Sequence, residues 1–301
     1  MSRHPHIGIA GVASVAPSTE KAKHLAQQLQ SERGQSTERV GLALVYVVSA
    51  LSLVGFVWFG LHPDRLAAAP SAAAVYGWML LWAPRAQILL AFGALALLLT
   101  RRTSARWLPA FAAVYLLSLL SELAGTTVGL PFGPYRYTDG LGAKWLGHVP
   151  VLIPLSWFFM ALPSYAIARW RFPRSAAPRV VAGSLVLLSW DLALDPAMSL
   201  VTRYWVWGVS GPYYGMPVVN LVGWYLTGLA LMTALCALRA DRWIASLPLR
   251  WLVAFYGANL LLPIGMSAAA GLSGAVAATT AAMLLCWLLV GRLPTAEARG
   301  R

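Results

Sequence analysis

Residues Val180–Leu200 read VVAGSLVLLSWDLALDPAMSL. At about 1.5 Å of rise per residue, some 20 residues cross the roughly 30 Å hydrocarbon core of a bilayer, so this stretch is long enough to span one. It also carries Asp191 and Asp195, four apart and therefore on one helix face. A carboxyl inside a membrane is expensive to bury, which makes function its first reading and a structural hydrogen bond the alternative.

Seven further apolar stretches resemble it in length. They are Val40–Leu61, Trp78–Thr100, Trp107–Gly129, Val149–Ala168, Val218–Leu238, Trp251–Ala270 and Ser273–Gly291. Backbone groups cannot go unpaired in lipid, so each is predicted to be a helix. Composition agrees: 59% of the 301 residues are hydrophobic, 11% are charged, and mean hydropathy is +0.65. A soluble domain draws about a quarter of its residues from the charged set. The expected fold is an all-α integral membrane protein, a bundle of about eight transmembrane helices.

The net charge of +13 does not indicate nucleic acid, because the basic residues sit in short connectors rather than on one face. Eighteen of the 23 fall on one side, in the first forty residues, at Arg101–Arg106, Arg169–Arg179, Arg239–Arg250 and the C-terminal end. Arg65, Arg85, Arg136, Lys144 and Arg203 fall on the other. This bias predicts a multi-pass protein of the cell inner membrane with both termini cytoplasmic. Residues 1–39 read as a polar, mostly disordered tail with helical content around Glu20–Gln30. Ile7–Ala16 is too short and Gly-interrupted for a signal-peptide core. Residues 40–291 form the membrane domain, and 292–301 a short basic tail. Cys236 and Cys286 lie inside apolar runs and read as small fillers.

Glu122 is the third acidic residue within a span. It lies in the outer half of its helix, Asp191 near mid-depth and Asp195 one turn further out, so three carboxyls are expected to converge on one pocket. Ser118 lies one turn below Glu122, and Gly125 and Gly129 continue a small-residue edge suited to close helix approach. The connectors that follow both carboxyl helices contain Gly-Pro-Tyr triplets, at Gly133–Tyr135 and Gly211–Tyr213. An interfacial aromatic belt accounts for tryptophan and tyrosine there, but not for the repeated triplet. The two loops are expected to cap the polar pocket.

Absences narrow the chemistry. No lysine lies inside a span, which excludes a retinal Schiff base. Five histidines, three of them in the first 39 residues, are too few for a di-iron oxygenase. There is no Gly-rich nucleotide loop and no second Asp pair to hold a diphosphate, so neither metal nor cofactor is expected. Cofactor-free acid–base chemistry on an apolar molecule remains. A low-dielectric site disfavours the charged form of a carboxyl, which suits one as a proton donor to an alkene. Aromatic faces and a carboxylate stabilise the resulting tertiary cation, and a second carboxyl can deliver water to it.

Glu122–Tyr137 (ELAGTTVGLPFGPYRY), Leu146–Trp157 (LGHVPVLIPLSW), Ser189–Pro196 (SWDLALDP) and Trp205–Trp224 (WVWGVSGPYYGMPVVNLVGW) resemble the integral-membrane carotenoid 1,2-hydratases, the group that includes bisanhydrobacterioruberin hydratase. The resemblance covers about a third of the chain. It implies hydration of the acyclic end group of a carotenoid such as lycopene or γ-carotene, with membrane lipid and other carotenoid-pathway enzymes as partners. On this reading Asp191 or Asp195 donates the proton, and Glu122, with His148, orients water. Tyr135, Tyr137, Trp207, Tyr213 and Tyr214 line the cation site, Asn220 holds water or a carboxyl, and Arg136 tunes one carboxyl. A carotenoid end-group cyclase and a proton-coupled transporter are the alternatives.

Overall fold

A computed structural model describes residues 19–290, with side chains over 34–288. The termini on either side, including all of the basic C-terminal tail at 292–301, lie outside the described residues. The chain divides into two units, 1–37 and 38–301. In the first, the described backbone is helical from Thr19.

The second unit is a helical bundle. Helix α1 (Thr19–Gly55) ends in a π-helical turn, Phe56–Gly60. The short α2 (Pro63–Ala68) leads to α3 (Pro70–Thr103) and α4 (Leu108–Val128). A first loop carries strands β1 (Tyr135–Tyr137), β2 (Lys144–Trp145) and β3 (Val149–Pro150). Then come α5 (Ile153–Arg171) and α6 (Ala176–Asp195), the latter extended by a second π-turn, Pro196–Val201. A second loop holds β4 (Trp205–Trp207), followed by α7 (Val218–Ala237), the short α8 (Asp241–Ile244), α9 (Leu249–Ala269) and α10 (Ser273–Val290).

Every expected span is a helix, but six of them are long and apolar enough to cross a membrane: those covering 34–60, 70–103, 108–128, 176–201, 218–237 and 249–269. The protein is therefore a multi-pass membrane protein. Among the described residues, the other two expected spans, α5 and α10, fall below that length or hydropathy. For α5 the reason is its place. It packs against α3, α4, α6, α7 and α9, and its residues from Ser156 to Ala166 are all buried. A helix walled in by protein is free of the demand that lipid makes on side chains, and α5 uses that freedom for Ser156, Ser164, Tyr165 and Pro163.

Three of the internal prolines, Pro84, Pro196 and Pro263, share one consequence. Proline has no N–H, so the carbonyl four residues earlier loses its helical donor, a serious defect where no water can replace it. Each freed carbonyl here has found an aromatic side chain. For Pro84, Leu80 O accepts from the Tyr204 hydroxyl at 2.9 Å. For Pro196, Leu192 O accepts from the Tyr213 hydroxyl at 2.8 Å. For Pro263, Asn259 O accepts from Trp190 Nε1 at 3.1 Å.

Candidate active site

The site is assembled by the two loops. Strands β1 and β4 pair antiparallel, with Tyr135 opposite Trp207 and Tyr137 opposite Trp205. Side chains alternate along a strand, so these four aromatics share the inward face while Arg136 is exposed. Phe132, 2% exposed, is wedged between two helices at glycines. A Cβ on Gly125 of α4 would stand 2.8 Å from its ring, and one on Gly223 of α7 would stand 2.7 Å from both the ring and Pro131 O. The small-residue edge on α4 thus admits the loop, where a neighbouring helix was expected. A Gly223→Ala chain, whose new methyl meets backbone, is expected to lose about 1–3 kcal/mol of stability. Thermal unfolding in detergent measures it.

Glu122, 4% exposed, receives three hydrogen bonds. Tyr135 and Tyr137 donate their hydroxyls to Oε2, the latter at 2.8 Å, and Trp157 donates Nε1 to Oε1 at 2.8 Å. Burial first, then the neighbouring Glu122 charge, pushes both phenols well above their ordinary range, so each keeps its proton to donate. Across the cavity, Trp205 donates Nε1 to Asp195 Oδ1 at 2.8 Å. Asn220 donates Nδ2 to Asp195 Oδ2 and lies 3.5 Å from Asp191 Oδ2, one amide bridging two carboxyls. An indole can only donate, so Glu122 Oε1 and Asp195 Oδ1 are both acceptors. Asp191 is fully buried and its Oδ1 has no protein partner; Trp207 Nε1 is likewise buried and unpaired.

Glu122 and Asp195 face the same cavity of about 40 Å³, enough for a water molecule. Most of its remaining wall is aromatic, with Ile153, Ser156, Leu194 and Asn220 between the rings. Trp157 stacks on Trp224 with ring centroids 4.0 Å apart, and Trp190 meets Trp224 edge-on at 6.0 Å. Tyr135 and Tyr137 contact Trp207 and Trp205 at 5.4 and 5.8 Å. Among the described residues no group of three His, Cys, Asp or Glu side chains can hold a metal ion.

Most of the expected site residues meet here, and four do not. Arg136 points away for the strand-parity reason above. His148 is exposed in the turn after Trp145, so neither residue bears on the carboxyls. Tyr214 packs on Tyr213 at 5.2 Å with its hydroxyl against Gly274 of α10, outside the cavity. Tyr213 acts through the Leu192 carbonyl instead of the cavity wall. Trp157, Trp205, Trp190 and Trp224 were not singled out from sequence, although all four lie in the quoted motifs.

The model of a family described as carotenoid biosynthesis protein matches residues 85–286, about two thirds of the chain and all of this site. The chain belongs to that family. Bisanhydrobacterioruberin hydratase of Haloarcula japonica is 31% identical to this carotenoid biosynthesis protein over 122 residues. The match takes in 40% of this chain and 41% of the relative, so the chain spans less than half the length of that protein. No solved structure matches this family member.

Proposed function

We propose that this family member is a carotenoid 1,2-hydratase of the inner membrane, with eight spans, polar tails at 1–39 and 292–301, both termini cytoplasmic, and the two loops as the cap of the site. The observation that carries the reading is the placing of Glu122 and Asp195 on one small cavity walled by five indoles, those of Trp157, Trp190, Trp205, Trp207 and Trp224. The named activity of the Haloarcula japonica relative supports it.

Asp195, paired with Asp191, gives its proton to C2 of the terminal double bond, and the π electrons form the new C–H bond. The tertiary cation at C1 lies against indole faces, which favour a cation. Glu122 accepts a proton from water as the water oxygen bonds to C1. The proton then passes from Glu122 to the aspartate pair and restores the starting state, so one water is consumed and no oxidant is needed. Trp207 Nε1 donates to the water, and later to the product hydroxyl. Asn220 holds the two aspartates in register.

The test is product analysis in cells that accumulate lycopene or γ-carotene. A product heavier by one water with an unchanged chromophore is expected. An isomeric product would replace hydration with cyclisation, and proton-dependent uptake without new product would replace both with transport.

A further inference from the structure

We propose that the carboxyl cavity is the closed end of a lateral channel that admits a linear polyene end-first from the bilayer, so that each encounter hydrates one end only. This deepens, and rests on, the hydratase reading.

Three cavities adjoin. The carboxyl cavity shares Ile153, Ser156, Trp190, Leu194 and Trp205 with a second cavity of about 100 Å³. The second shares Pro84, Met198, Tyr204 and Leu262 with a third of about 70 Å³. Polarity and burial change together along the row. The inner cavity is ringed by buried side chains. The outer one is apolar, and there Gly55 and Met79 are half-buried and Leu80 is exposed on the face that α3 turns to lipid.

The helix irregularities fall along this row. The outer cavity touches the start of the α1 π-turn at Phe56, Pro84 of α3 and Met198 in the α6 π-turn; Pro263 of α9 lines the middle one. π-Turns and prolines bend or widen a helix, and four helices do so around one passage. Two of the aromatics that repair the freed carbonyls, Tyr204 and Trp190, are themselves channel wall.

A conjugated polyene is flat, stiff and apolar, and cannot fold back in such a passage. Its far end stays in the outer cavity or in lipid while the near end meets Asp195. A substrate with two acyclic ends must leave, reverse and return before the second end reacts. The singly hydrated product therefore precedes the doubly hydrated one.

The full-length protein in membranes, supplied with lycopene, tests this. Ala83→Trp and Met79→Trp fill the outer cavity far from the carboxyls; Ala86→Trp, on the exposed face of α3, is the control. Both channel variants are expected to hydrate at least tenfold more slowly and to lose co-purifying pigment, with the unfolding temperature of the control. In the unaltered protein, the singly hydrated product should accumulate first and decline as the doubly hydrated one forms. Wild-type rates in both channel variants, or doubly hydrated product from the outset, would overturn the channel and leave the hydratase standing. No hydrated product from the unaltered protein would remove the hydratase reading, and pigment retention lost in the variants would still support a channel.

Discussion

Asp195→Asn is expected to fold, insert and add essentially no water. The asparagine keeps an oxygen for Trp205 Nε1, which bonds Asp195 Oδ1 at 2.8 Å, and Asn220 can turn its own amide oxygen toward the new NH₂. The wall around it is otherwise untouched. What disappears is the proposed proton donor, and Asp191, which stands behind it, does not line the cavity. General acid catalysis contributes about 10²–10⁴-fold. In the proposed mechanism protonation creates the cation on which every later step depends, so the loss should fall at the upper end of that range. Initial rates of hydrated product, with an unfolding curve beside them, measure it. More than a tenth of the normal rate would show that Asp195 is not the donor, and an inactive Asp191→Asn chain in the same assay would move that role one turn along the helix.

Replacing Glu122 separates chemistry from architecture. Glu122→Gln keeps an oxygen for Trp157, while Tyr135 and Tyr137 can rotate their hydroxyls to accept from the new amide. Stability should change little and hydration should fall by about 10²-fold or more, since the proposed base for the water proton is gone. Glu122→Ala also removes the acceptor from three buried donors. Each stranded donor costs about 1–3 kcal/mol, so this chain is expected to unfold at distinctly lower temperature. A Gln variant as unstable as the Ala variant would make Glu122 a structural anchor; a Gln variant with full activity would remove it from the mechanism.

The bundle was largely legible in the sequence because lipid leaves the backbone one solution. From Val218 to Ala237, for instance, the expected and observed helix differ by a single residue. Glu122, Asp191, Asp195 and Asn220 were legible for a related reason: a polar group at that depth needs a partner. The tryptophans were not. A membrane protein uses tryptophan freely at its interfaces, so Trp157 and Trp205 carried no mark that set hydrogen-bond donors apart from belt residues. Arg136 and His148 lie away from the carboxyls, and proximity in a loop sequence says nothing of strand parity; Tyr135 touches Glu122 while the next residue, Arg136, is exposed. Six of the eight expected spans are long and apolar enough to cross a membrane; at α5 membrane hydropathy is a poor guide, because that helix is surrounded by protein.

The pairing of β1 with β4 has a consequence for biogenesis. Synthesis runs from the N-terminus, so Glu122 and the first loop leave the ribosome well before Trp205 and Trp207 exist. Tyr135 and Tyr137 have no strand to face until α6 has been delivered, and Asp195 has no Asn220 until α7 follows. The catalytic centre is therefore a late product of assembly. A nascent chain that stops at Arg203 carries all three carboxyls and no finished site.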